Sequence, residues 1–332
     1  MSELSSVASS TDEATASAGL AQGYAVGLDV GGTKILGVLV GPDGSVEGTL
    51  RLPTRWGPEG VVSSAAEAVT GLLDAAGVPV ERLTSVGVGV PGLVDPASGG
   101  VQHAVNLGID AETFLLASLL SEHLGGVPVS VDNDLNVAAL GAASVTGGDV
   151  DLAFLALGTG LAAGIVLGGE LRRGVSGAAG EIGHIPVDPR GPLCACGQRG
   201  CLETYASGTA LGARWPSQHG RPAPAELFEA AAGGDERAVL VKNEFVTAVA
   251  AAIRLLVLSY DVEHVVLGGG VSILGAPLLD AVAVALEEQA SSSPFLASLE
   301  IADRVRLCPT DVPVAAVGAA LAGRRKVSKW KL

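Results

Sequence analysis

The sequence predicts an α/β fold built twice, as two domains flanking a cleft. Apolar runs of strand length end repeatedly at glycine turns and alternate with segments of helical periodicity. A partial internal repeat emerges when the chain is slid by 127 positions: Leu28, Val30, Gly31, Gly37, Val38, Val40 and Gly41 fall on Leu155, Leu157, Gly158, Gly164, Ile165, Leu167 and Gly168. Both copies read strand, glycine turn, strand, turn. The length of 332 residues is enough for two domains of ordinary size.

Taken in order, residues 1–22 are rich in Ser, Ala, Thr and acids without periodicity, which predicts a disordered leader. A smaller α/β domain is expected over 23–137 and a larger one over 138–313. Residues 24–30 read as a buried strand ending at Gly31-Gly32-Thr33-Lys34, 35–40 as a second strand, and 41–44 as a hairpin turn into a third. A helix is expected over 61–76. Strands follow at 85–90, stopping at Pro91-Gly92, and at 127–131, ending at Asp132-Asn133-Asp134, with a helix over 136–143. Further helices are expected at 225–233, 235–259 and 277–289. Strands are expected at 264–267 and 305–308, and a small-residue helix closes the chain over 314–322.

Aromatic residues make up only 3% of a chain that is 48% apolar, so the core must be assembled from Ala, Val, Leu and Ile. Forty-seven glycines imply many tight turns and close backbone approaches. A formal charge of −15 argues against nucleic-acid or anionic-membrane partners, which require a basic face. Arg324, Arg325, Lys326, Lys329 and Lys331 crowd the C-terminus and read as a solvated tail. No Lys or Arg occurs in the first thirty residues, so a secretory n-region is not expected. No apolar run approaches the roughly 18–20 residues of a spanning helix, and Arg254 interrupts the nearest candidate, 248–258. Cysteines in a metal pattern favour a cytoplasmic setting over a disulfide scaffold. Cys308, without a partner pattern, reads as a core residue.

One short segment concentrates the chemistry. Between His184 and Cys201 lie Cys194, Cys196 and Cys201, three of the four cysteines, alongside one of the five histidines. Three thiolates and an imidazole form a complete tetrahedral zinc set with no open position, so the expected metal is structural. Glu181 and Glu203 flank this set. With His184 they suit either the binding of several hydroxyls of a polyol or support of the metal.

A second group concerns phosphate. Asp29 ends a strand, where it can hold Mg²⁺ through water, and Gly31, Gly32, Thr33 and Lys34 let an anion approach backbone N–H groups. Gly158-Thr159-Gly160 is the matching turn in the second copy, with Ala156 where the first has Asp29. Gly268-Gly269-Gly270 can accept a flat adenine-ribose on bare backbone. No Gly-x-x-x-x-Gly-Lys-Ser/Thr loop is present, and a strand rather than a helix follows Gly31-Gly32, unlike the dinucleotide fingerprint. Asp132-Asn133-Asp134 ends a strand and opens a helix. Capping suits all three residues, and Asp134 also suits a base that takes the proton of an attacking alcohol.

These motifs resemble the ROK family (repressors, open reading frames and sugar kinases) of the actin-like ATPase, ribonuclease H-like, superfold. The residues that carry the resemblance are Gly27-Leu-Asp-Val-Gly-Gly-Thr-Lys34, Asn133-Asp134, Leu157-Gly-Thr-Gly160, Gly177-Ala-Ala-Gly-Glu-Ile-Gly-His184, Cys194-Ala-Cys-Gly-Gln-Arg-Gly-Cys-Leu-Glu203 and Val265-Val-Leu-Gly-Gly-Gly-Val271, within about residues 24–322. The resemblance implies an ATP-dependent hexose kinase with glucose as first expectation. Asp134 would be the catalytic base toward the sugar 6-hydroxyl, and Asn133, Glu181, His184 and Glu203, with Asn106 in addition, would bind the sugar. His184, Cys194, Cys196 and Cys201 would hold structural Zn²⁺, and Asp29 with the three glycine turns would hold ATP and Mg²⁺. It also implies a homodimer or homotetramer, and a last helix, 314–326, packed back on the first domain. Another hexose or an N-acetylhexosamine (N-acetylglucosamine, N-acetylmannosamine, fructose, allose) is the alternative substrate. A sugar-sensing repressor is disfavoured because the residues ahead of the first strand include no basic ones. One departure is Leu161-Ala162-Ala163, which replaces a more glycine-rich run and is expected to narrow the phosphate approach.

Overall fold

The computed structural model describes residues 23–148 and 150–329, so the leader 1–22 and Lys331 lie outside the described residues. The chain divides into two compact units. One runs to Gly141 and resumes at Pro313; the other is Ala142–Val312. The first boundary falls inside the helix Asp134–Thr146.

In the first unit, β1 (Tyr24–Val30), β2 (Lys34–Val40) and β3 (Val46–Pro53) form an antiparallel meander, and β4 (Leu83–Val90) adds parallel to β1. A small hairpin, β5 (Leu93–Asp95) and β6 (Gly100–Gln102), precedes β7 (Val129–Asn133), which pairs parallel with β4. The order is β3-β2-β1-β4-β7. The second unit repeats it. There β8 (Leu152–Leu157), β9 (Leu161–Leu167), β10 (Glu170–Leu171), β11 (His264–Gly268) and β12 (Val305–Leu307) lie in the order β10-β9-β8-β11-β12, with the same pattern of parallel and antiparallel pairs.

The sequence repeat therefore marks a real duplication, with one correction. Four residues separate the paired Val30 and Ile35, but only three separate Leu157 and Leu161. The shift of 127 holds for β1 and β8, whereas β9 lies one residue nearer its predecessor than expected. Gly37, Val38 and Val40 thus correspond to Ala163, Gly164 and Val166. The burial pattern agrees: Ile35 and Leu39 enter one core, and Leu161 and Ile165 enter the other. A one-residue slip would have turned every side chain to the opposite face.

Each sheet buries one face under long amphipathic helices. In the first unit the helix Pro58–Ala76 turns Val61, Val62, Ala65, Val69, Leu72 and Leu73 inward at helical spacing. It begins with proline in its first turn and stops at Gly77 with φ 64°. The helix Leu116–His123 packs Leu116 and Leu120 beside it; at eight residues it is too short to declare itself by periodicity. In the second unit the helices Glu236–Tyr260 and Ala276–Ala290 cover the corresponding face.

The helix Val314–Lys329 returns to the first unit and lies on the other side of its sheet. Its small residues let backbone meet backbone. A methyl group added at Gly27 of β1 would overlap the Ala316 carbonyl, and one at Gly87 of β4 would overlap the Ala319 carbonyl. The substitution Gly87→Ala should accordingly cost about 3 kcal/mol or more, the upper range for overpacking, because the obstacle is main chain that no rotamer relieves. Urea denaturation at constant m-value checks this.

Arg324 and Lys326, two of the basic C-terminal residues, are not part of a solvated tail. The helix continues past residue 322, and Arg324 Nη2 donates to the carbonyls of Gly23 (3.1 Å), Val40 (3.1 Å) and Gly41 (2.6 Å) at the strand ends. Lys326 Nζ donates to Pro96 O at 3.0 Å and Ala97 O at 3.4 Å. A guanidinium can meet several unpaired carbonyls at once, and a composition count does not reveal that such carbonyls lie within reach. Cys308, expected in the core, is half-buried just beyond β12. No described helix is long and apolar enough to cross a membrane.

Candidate functional site

In the first unit the carboxylates gather where the parallel strands end. Asp29 stands in β1 between Leu36 of β2 and Gly89 of β4. A Cβ on Gly89 would lie 3.5 Å from the Cα of Asp134, so glycine lets the helix start close to β4. Burial chiefly, and then the charge of Asp134, push Asp29 up from 3.8 to about 6, with Lys34 opposing. Burial also raises Asp134, against the N–H of Leu135.

The three residues Asp132-Asn133-Asp134 have separate tasks. Asp132 is only 4% exposed and accepts from the Asn133 N–H (2.9 Å) and Asn136 Nδ2 (3.0 Å). Asn133 Oδ1 accepts from the Leu135 N–H at 2.9 Å while its Nδ2 donates to Gly92 O at 3.1 Å, which ties the helix start to the Pro91-Gly92 turn. Asp134 Oδ1 also accepts from Leu135, at 2.8 Å. Its other oxygen, Oδ2, stands at the positive end of the helix Asp134–Thr146.

The turn after β1 closes with Gly31 N–H donating to Lys34 O at 2.9 Å. Thr54 holds it from behind, with Oγ1 donating to Gly31 O at 2.7 Å and N–H donating to Thr33 O at 3.1 Å. Thr33 and Lys34 are exposed. Gly32 is small for want of space: a Cβ would sit 2.7 Å from the carbonyl oxygen of Asn106. Asn106 itself is exposed, on the short 3₁₀ turn Val105–Leu107. Thr54 and Gly92 are the positioning residues that sequence reasoning misses, since nothing local in a lone threonine or a Pro-Gly pair announces a partner tens of residues away.

In the second unit the Gly158–Gly160 turn closes with Gly158 N–H donating to Gly160 O at 3.1 Å, and Gly208 N–H donates to Gly158 O at 2.7 Å. Thr159 is exposed. Leu161 and Ala163 point into the core, which corrects the expectation that their methyl groups narrow a phosphate approach; strand alternation leaves only Ala162 on the other face. Gly268 differs from its neighbours. It is buried beneath the Phe154 ring, where a Cβ would collide, so it serves packing. Gly269 (φ 84°) and Gly270 are exposed, and Gly270 has open space above it.

The ligand atoms of His184, Cys194, Cys196 and Cys201 all lie within 4.8 Å of one another. Cys196 Sγ is 3.6 Å from Cys201 Sγ, and Cys194 Sγ is 3.8 Å from His184 Nδ1. A tetrahedron of zinc–sulfur bonds of about 2.3 Å has edges of about 3.8 Å, so the cluster has the right size to hold that ion. The backbone N–H of Gln198, then its side-chain amide, lower the Cys196 thiol to about 6. Gln198 Nε2 also donates to the His184 carbonyl at 3.1 Å, fastening both ends of the loop.

The flanking carboxylates sit on this knot. Cys194 Sγ donates to Glu203 Oε1 at 3.2 Å, and His184 Nδ1 is 3.6 Å from the same oxygen. The other imidazole nitrogen, Nε2, lies 4.0 Å from Glu181 Oε2. One ring nitrogen of the histidine thus faces Cys194 and Glu203, and the other faces Glu181. Glu203 Oε2 also reaches the backbone of Gly160, where a Cβ would be 3.0 Å away. Gly180 presses Glu181 and His184 onto β9; its φ is 91°, its carbonyl accepts from the Ala163 N–H at 2.8 Å, and a methyl there would overlap the Ala163 carbonyl.

A sequence profile of the ROK family matches residues 25–307. The chain is 36% identical over 275 residues to a glucokinase of Halalkalibacterium halodurans, covering 76% of this chain and 82% of that protein. Among solved structures, a ROK hexokinase from Thermus thermophilus superposes with a TM-score of 0.77 at 32% identity, covering 92% of this chain and 99% of the other. A ROK family glucokinase from Streptomyces griseus, in complex with glucose and AMPPNP, superposes with a TM-score of 0.70 at 32% identity, covering 91% and 100%. The chain belongs to the ROK family, and its twinned sheets are the actin-like ATPase fold of that family's sugar kinases.

Proposed function

We propose that this protein is an ATP-dependent hexose kinase that phosphorylates the 6-hydroxyl of glucose. The observation that carries this reading is Asp134: a half-buried carboxylate at a helix N-terminus, raised above its ordinary range by burial and held through Oδ1 by the Leu135 N–H. A base works best when its pKa approaches the working pH. The glucokinase relatives and the glucose-bound structure support the choice of sugar.

Asp134 accepts the proton of the primary alcohol as that oxygen bonds to the γ-phosphorus. The bond from the γ-phosphorus to the bridging oxygen breaks, and ADP leaves with that oxygen. Asn133, Glu181, His184 and Glu203, with Asn106, hold the remaining hydroxyls so that one alcohol faces the base. The Gly31–Lys34 and Gly158–Gly160 turns and the open backbone of Gly269 and Gly270 receive the nucleotide. Mg²⁺ suits the neighbourhood of Asp29, where two half-buried carboxylates repel each other; when bound it would offset phosphate charge. Zn²⁺ suits the thiol–imidazole cluster and has no open position for chemistry there. The reduced thiol cluster supports a cytoplasmic setting, and light scattering tests the dimer or tetramer that the family implies.

A spectrophotometric assay coupled to ADP release, run over glucose, fructose, allose, mannose, N-acetylglucosamine and N-acetylmannosamine, tests the assignment. Glucose should give the highest kcat/KM. Turnover of none of them overturns it.

Asp29 provides a pH test. Its pKa in the fold, about 6, is above the 3.8 of the unfolded chain. The stability it contributes is therefore complete below 3.8 and lost as pH rises through about 6. That loss corresponds to about 3 kcal/mol. Asp29→Asn should melt higher than the parent at pH 8, equal it near pH 3.5, and lose Mg-ATP-dependent turnover. Thermal melts of both proteins across this range check the sign.

A further inference from the structure

The first unit contains a cavity of about 540 Å³ that takes no part in the chemistry above. It is walled by Pro128, Val129 and Ser130 at the start of β7, whereas Asn133 is the strand's last residue and Asp134 follows it. Ser118 and Ser121 of the helix Leu116–His123, Ser98, and Gly323 and Lys326 of the last helix also line it. The volume falls in the range of small-molecule sites.

Its lining is one-sided in charge. Among the described lining residues Lys326 is the one charged group; the carboxylate of Asp95, outside the lining, accepts from the Ala97 N–H and the Ser98 hydroxyl and feels the Lys326 charge. Two of the three ammonium protons are used by the carbonyls of Pro96 and Ala97, which fixes the Nζ and leaves one donor. Ser130, only 8% exposed, has a hydroxyl with no hydrogen-bond partner among the described residues. Ser85 of β4, 1% exposed, is in the same condition. Ser130 pairs with Gly87, so Ser85, Gly87 and Ser130 share the sheet face toward the last helix, where Gly323 approaches Gly87. Buried hydroxyls normally find partners, and the Ser130 hydroxyl, which lines the cavity without one among the described residues, marks a place where an acceptor is wanted; Ser85 lies on the same sheet face but does not line the cavity.

We propose that this cavity is a second ligand site, for a small organic oxyanion held by Lys326 and Ser130. A carboxylate and a phosphate ester share this chemistry. The proposal stands apart from the sugar-kinase reading, since binding rather than turnover tests it.

Full-length protein is titrated calorimetrically with lactate, glycerol 3-phosphate and inorganic phosphate, against sodium chloride at matched ionic strength. Saturable binding is expected from at least one probe. Lactate alone identifies a carboxylate site, and glycerol 3-phosphate alone identifies a phosphate-ester site. Lys326→Met should weaken it about tenfold or more, the loss of one charge-assisted hydrogen bond. Ser130→Val should also weaken binding, yet melt no lower than the parent without ligand, because it removes an unpartnered hydroxyl. Binding of equal strength in both variants, or none by any probe, overturns the proposal; Lys326→Met, at the protein's edge, keeps the test open if the valine variant fails to fold.

Discussion

Asp134→Asn should lose roughly a hundred- to ten-thousand-fold in kcat, the usual yield of a general base, while glucose affinity stays close to that of the parent protein. Asparagine keeps the shape, and its Oδ1 can still accept from the Leu135 N–H, so the helix start survives. It cannot take the alcohol's proton. The same change removes the second-largest influence on Asp29, whose pKa should then fall from about 6 toward its ordinary range. Turnover and the pH dependence of melting therefore move together in this variant and separately in one that merely disrupts folding. Joint loss of turnover and sugar binding with normal melting would place Asp134 among the sugar ligands and not as base.

Removing a ligand of the proposed zinc should have the second large effect. Cys201→Ala leaves three ligands and empties a buried position against the His184 carbonyl, 3.6 Å from its sulfur. Elemental analysis should find one zinc per parent chain and a much smaller fraction in the variant. The loss should reach about 3 kcal/mol or more, or roughly 10 °C in Tm for a unit of this size. Sugar affinity should fall further than ATP affinity, because Glu181, His184 and Glu203 are braced by the cluster, whereas the Gly31–Lys34 turn is held by Thr54. Undiminished zinc content with unchanged sugar affinity would show that the four residues do not act as one metal site.

Much of this was legible from the chain. The Cys194–Cys201 spacing concentrates rare residue types in a short segment, and their chemistry admits few alternatives. The twinned sheets showed themselves through apolar runs stopped by glycine, since both signals are local. What escaped is non-local. The one-residue difference between the Gly31 and Gly158 turns is invisible until pairing is known, because glycines recur often enough for a shifted alignment to look sound. Arg324 reads as solvated until strand-end carbonyls are found near it. Gly268 looks like its two neighbours, and only the Phe154 ring above it separates packing from open backbone. The capping and catalytic readings of Asp132-Asn133-Asp134 could not be divided from sequence, and in the fold Asn133 and Asp134 share the Leu135 N–H, so the capping bond does not by itself single out either residue.

Phosphorus and carbon NMR of the product formed from glucose and Mg-ATP bears most directly on Asp134 as the base that activates a primary alcohol. The expected spectrum shows ADP and a hexose with phosphorus coupled to C6, formed by the parent and not by Asp134→Asn. Phosphate on a ring carbon, or ADP with free phosphate and unchanged glucose, would contradict it.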